Sequence, residues 1–102
     1  MVTPNKPRVI AIEEHYWDRE VAAAFDSTDS LRGAPGITDR LYDYAEIRIQ
    51  EMDEAGIDLQ VLSHGAPSTQ RGDPETTVKL ARGANDRLRE IVRAHPDRFA
   101  AF

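Results

Sequence analysis

The sequence contains no cysteine. That excludes disulfide frameworks, cysteine zinc sites and thiol nucleophiles, and leaves the redox compartment open. It also lacks a basic excess: 13 Lys and Arg stand against 18 Asp and Glu, a formal charge of −5. Nucleic acid and anionic membranes demand a basic footprint, so neither is expected as the main partner. Long apolar runs are missing too, which speaks against a membrane span. Residues 1–8 carry charge with no apolar stretch behind them and do not read as a secretory signal, so a cytoplasmic location is the default expectation. What remains is an ordinary globular composition, 40% hydrophobic and 30% charged, in a chain of 102 residues that forms one domain at most.

The acidic residues are unevenly placed. Between residues 13 and 30, Glu13, Glu14, Asp18, Glu20, Asp26 and Asp29 face Arg19 alone. This cluster is either a solvated loop or a cation site, since hard and borderline cations seek carboxylates. It follows Val9-Ile10-Ala11-Ile12, a short β-branched run. That run predicts a strand over 8–14, buried on both faces of a parallel sheet.

Arg19 to Phe25 can form a short helix, and residues 26–40, rich in Ser, Gly, Pro and Asp, read as an irregular excursion. Asp43 and Glu46 have capping-box spacing, and Leu41, Ala45, Ile49 and Met52 make an apolar stripe. A helix is expected over 43–55, with Gly56 as its left-handed cap. Ile57, Leu59 and Val61 alternate in a second strand, 57–63. Asp73-Pro74-Glu75 opens a helix over 74–94: Asp as N-cap, Pro in first position, Glu in the positive first turn. His95-Pro96 stops it, and a third strand starts over 98–102. Alternating strands and helices signal an α/β protein with parallel, right-handed crossovers. Breaking off inside its third strand, the chain reads as an incomplete unit.

Glu13-Glu14-His15 closes the first strand. In a regular strand Glu13 and His15 point one way and Glu14 the other, with the like-facing Cβ atoms about 6–7 Å apart. Two ligands at that span can converge on one divalent ion, at the strand end where parallel α/β folds place their sites. The other reading is a solvated Glu and a capping His.

Three blocks, "VIAIEEHY", "RIQEMDEAGIDLQVLSHGAPSTQ" and "ANDRLREIVRAHPDRFAAF", resemble the opening of the metal-dependent decarboxylases of the amidohydrolase superfamily. That group includes aminocarboxymuconate-semialdehyde, resorcylate and dihydroxybenzoate decarboxylases. The resemblance covers nearly the whole chain outside 16–40. It implies the N-terminal portion of a (β/α)8 TIM barrel of roughly 300 residues. It implies Glu13 and His15 as first-strand ligands of a divalent metal ion, Zn or Mn, weakly bound by this chain alone. The family's later His and Asp ligands and its proton-transfer His have no counterpart here, so no catalytic residue is expected in this chain and it should be inert by itself. A small carboxylic acid is the implied substrate of the complete, homo-oligomeric enzyme.

His64 ends the second strand and would face the barrel mouth, as a substrate contact or as an exposed loop His. Ala66 and Pro67 border the same mouth by resemblance; a turn proline is the alternative. Tyr16 and Trp17 would either wall an aromatic substrate or pack internally. Asn85 is expected to satisfy backbone groups, His95 to sit at a helix C-terminus, and Arg87, Arg89 and Arg93 to form a solvated face. Two rivals stay open: a lactone or amide hydrolase of the same superfamily, and a small non-enzymatic α/β interaction module.

Overall fold

A computed structural model describes residues 6–25, 36–66, 68–70 and 72–102. The order is β1 (Ile10–Tyr16), α1 (Arg19–Phe25), α2 (Ile37–Tyr42), α3 (Glu46–Ala55), β2 (Leu59–His64), α4 (Pro74–Ala94) and β3 (Phe99–Ala101). The strands form one sheet in the order β1-β2-β3, and both pairings are parallel. Among the described residues no helix is long and apolar enough to cross a membrane.

Local chemistry explains most of the boundaries. Asp73 caps α4 by accepting the Thr76 N–H at 2.9 Å, and Pro74 takes the first helical position, where a missing N–H costs nothing. Gly56, at φ 75°, ends α3, and the Gly56 and Ile57 N–H groups close onto the Asp53 and Met52 carbonyls at 3.3 and 2.9 Å. His95 ends α4, its N–H donating to Ile91 and Val92.

Two expectations about the helices need correction. The excursion over 26–40 is not wholly irregular, because α2 begins at Ile37. Its hold is tertiary: Arg40 pairs with Glu51 of α3 at 2.7 Å, and the Leu41 carbonyl accepts the Trp17 N–H at 2.9 Å. The following helix starts at Glu46 rather than 43. Asp43 still caps it, but by accepting the N–H of Arg48, five residues on, at 2.9 Å.

The core lies between the sheet and the helices: Tyr16, Met52, Leu62, Leu88 and Phe99, flanked by Tyr44, Ile49, Ile57, Ile91 and Val92. Gln60 and Leu62 of β2 point into it. Ile10 and Ile12 are 51% and 67% exposed, so β1 is not buried on both faces.

Gly65, just past β2, is forced by a neighbour. A Cβ there would lie 2.7 Å from Nε1 of Trp17, a buried indole packed edge-on against Tyr42. Gly65→Ala is expected to cost about 1–3 kcal/mol, the usual penalty for overpacking. Urea unfolding read by Trp17 fluorescence checks this; an unchanged midpoint would mean that the indole yields freely.

Candidate functional site

Strand β1 is not regular. Its register against β2 runs Ile10↔Leu59, Ala11↔Gln60, then Glu14↔Leu62, His15↔Ser63 and Tyr16↔His64. Ile12 and Glu13 together stand opposite Val61, which makes a β-bulge. Glu13 takes the strain, with φ 56° in the left-handed region that non-glycine residues avoid. The simple alternation expected over Glu13-Glu14-His15 is therefore broken at Glu13. Only from Glu14 onward is the facing set by pairing.

That pairing separates Glu14 from His15. Glu14 sits beside Leu62 and accepts from Gln60 Nε2 at 3.4 Å on the helix side. Its charge, with Asp43 and Glu51, supports the Arg48 guanidinium against the burial that lowers its pKa. His15 pairs with Ser63 on the other face, its Nδ1 lying 3.2 Å from Ser63 Oγ. Glu13 and His15 are both exposed. Among the described residues, no three His, Asp or Glu side chains cluster to hold a metal ion.

The backbone of this strand end is held by distant donors. Arg48 Nη2 donates to the His15 carbonyl at 3.1 Å, and the Tyr44 hydroxyl donates to the Trp17 carbonyl at 2.8 Å. Asp18 closes the turn. Its Oδ1 accepts from the Glu20 and Val21 N–H groups at 3.0 and 3.1 Å, and both oxygens take a fork of hydrogen bonds from Arg87 at 2.7 and 2.8 Å. Burial alone would raise the Asp18 carboxyl; the Arg87 fork and the two N–H groups outweigh it and hold the pKa below the usual 3.8. Arg87, though 41% exposed, is thus an ion-pair partner and not merely part of a solvated helix face, and nothing local to residue 87 signals a partner 69 positions away.

The other candidates fall as follows. Tyr16 is 3% exposed, within the core, and burial together with Asp18 and Tyr44 pushes its hydroxyl up to about 12. Both it and Trp17 pack internally. His64 has both ring nitrogens engaged: Nε2 accepts the Asp18 N–H at 2.9 Å and Nδ1 donates to the Gly65 carbonyl at 2.8 Å. Its ring packs on Tyr16, centroids 5.2 Å apart. It therefore splints the β1–α1 turn. Ala66 is exposed, Asn85 is exposed on α4, and Pro67 lies outside the described residues. A concavity of about 330 Å³ opens on the helix side, and Glu14 and His15 line it together with Arg40, Arg48, Glu51 and Met52.

No protein-family profile matches the chain. It is 35% identical to Decarboxylase orsB of Emericella nidulans over 94% of its own length and 29% of that protein. It is 36% identical to the gamma-resorcylate decarboxylase of Rhizobium radiobacter, over 91% of this chain and 29% of that one. A 2,6-dihydroxybenzoate decarboxylase crystallised with 2,6-dihydroxybenzoate superposes with TM-score 0.79 at 35% identity, covering 95% of this chain and 30% of that chain. A Polaromonas dihydroxybenzoic acid decarboxylase holding manganese and 2-nitroresorcinol gives 0.78 at 36%, with 95% and 30% covered. The chain thus spans under a third of the length of the relatives it matches. Its parallel sheet and helices are consistent with the N-terminal portion of a (β/α)8 barrel.

Proposed function

We propose, from the similarity of this chain to gamma-resorcylate and dihydroxybenzoate decarboxylases, that it supplies the first part of the metal seat of a carboxy-lyase for hydroxylated benzoates. The observation that carries the reading is the strained Glu13, at a bulge two residues before His15 and at the carboxyl end of β1. Bulges and residues held at positive φ concentrate at functional sites, where they aim a side chain that regular pairing would aim elsewhere. A carboxylate and an imidazole form a donor set suited to a divalent transition metal. Glu13 and His15 would hold the ion, which when bound supplies Lewis acidity toward a substrate carboxylate and its neighbouring oxygen. The remainder of the chain's work is positional: Arg48 and Tyr44 fix the strand-end carbonyls, and Asp18 pins the turn that follows.

Mn²⁺ titration followed by paramagnetic broadening of the backbone amide signals of residues 13, 15 and 63 tests the seat. Glu13→Gln and His15→Ala are each expected to reduce affinity at least tenfold, while Glu14→Gln, on the helix side, leaves it within about threefold. Equal loss from Glu14→Gln, or none from Glu13→Gln, would sink the assignment.

A further inference from the structure

We infer that Ser63, at the end of β2, is a positioning residue that sets the tautomer of His15 and leaves Nε2 as its metal-binding atom. The inference rests on the reading of His15 as a ligand. His15 and Ser63 are register partners across β1 and β2. His15 Nδ1 lies 3.2 Å from Ser63 Oγ and 3.4 Å from the Ser63 carbonyl oxygen. A carbonyl oxygen can only accept. Both contacts are satisfied together when Nδ1 carries the proton and Ser63 offers its two oxygens as acceptors. Nε2 then keeps its lone pair, since a neutral imidazole has one donor and one acceptor nitrogen. The carbonyl is fixed by the parallel ladder, so it holds the ring against a rigid element; the hydroxyl adds a second anchor and stops rotation about the first. A histidine ligand whose other nitrogen is held in this way keeps its ring orientation and gains basicity.

Long-range ¹H–¹⁵N correlation of the neutral His15 ring in the metal-free chain reads the tautomer directly. The Nδ1–H form is expected to dominate in the wild type and in Ser63→Thr, which keeps a hydroxyl. Ser63→Ala is expected to shift population toward Nε2–H and to need about tenfold more Mn²⁺ for the same broadening, at the lower end for loss of such a support. A wild-type ring found mainly as Nε2–H overturns the inference, whether or not Ser63→Ala folds. So does unchanged Mn²⁺ affinity in Ser63→Ala while His15→Ala still abolishes binding, and that result leaves the metal seat standing. Binding insensitive to His15→Ala removes the seat itself, and the inference with it.

Discussion

Tyr16→Ala is expected to lower the unfolding free energy by about 3–5 kcal/mol, the cost of truncating a buried aromatic. The ring is 3% exposed, shares the core with Met52, Leu62, Leu88 and Phe99, and meets Tyr44 and His64 edge-on at 5.8 and 5.2 Å. Tyr16→Phe keeps the ring and should stay within about 1.5 kcal/mol of the wild type. Urea unfolding of both variants, read at Trp17, separates packing from ligand contact. A loss under about 1 kcal/mol in Tyr16→Ala, coupled to altered binding of 2,6-dihydroxybenzoate, would restore the substrate-wall reading.

Arg87→Leu is the second large effect, expected at about 3 kcal/mol near neutral pH. Breaking a buried ion pair strands the remaining charge, here the Asp18 carboxylate, whose side chain is 3% exposed. The value falls at the low end because Arg87 is itself 41% exposed and two backbone N–H groups stay on Asp18. The pH dependence identifies the cause. In the wild type the Asp18 pKa is depressed, so its contribution is complete above the unfolded value of about 3.8 and fades as pH falls through the folded value. In the variant the Arg87 fork no longer opposes burial, so the same carboxyl sits higher than in the wild type. The stranded charge is therefore neutralised at a higher pH in the variant than in the wild type. The gap between the two proteins should narrow as pH falls from neutral through and below the usual carboxylate range. A gap that stays constant would assign the loss to the Arg87 stem's packing.

Features written in neighbouring residues were legible from the sequence. Asp73-Pro74 marks the start of α4 and Gly56 the end of α3, because caps depend on one to four adjacent positions. The parallel pairing of the strands followed from alternating apolar runs and helices. Features that depend on a partner far along the chain were not. The bulge exists only relative to Gln60, Val61 and Leu62, and it decides which way Glu14, His15 and Tyr16 face. His64 looked like a mouth residue until that register placed it beside Tyr16, and Arg87 looked solvated until the fold brought it to Asp18. α2 escaped notice because its support comes from Glu51 and Trp17, not from its own pattern. The pair Glu13 and His15 was visible as chemistry, but its strained backbone was not.

The bulge has a consequence for how this strand can change over time. Ile12 and Glu13 share a single partner, Val61, so one of the two is surplus to the ladder. A chain lacking Glu13 would retain Ile10 against Leu59 and Tyr16 against His64, with every pair between, and would shed a left-handed residue that costs roughly 1–2 kcal/mol. The carboxylate and the sheet are thus independently heritable. A homologue could lose the ion seat and become more stable while superposing just as well, so agreement of backbone over β1 says nothing about whether the seat survives. The length of the segment between Ala11 and His15 does.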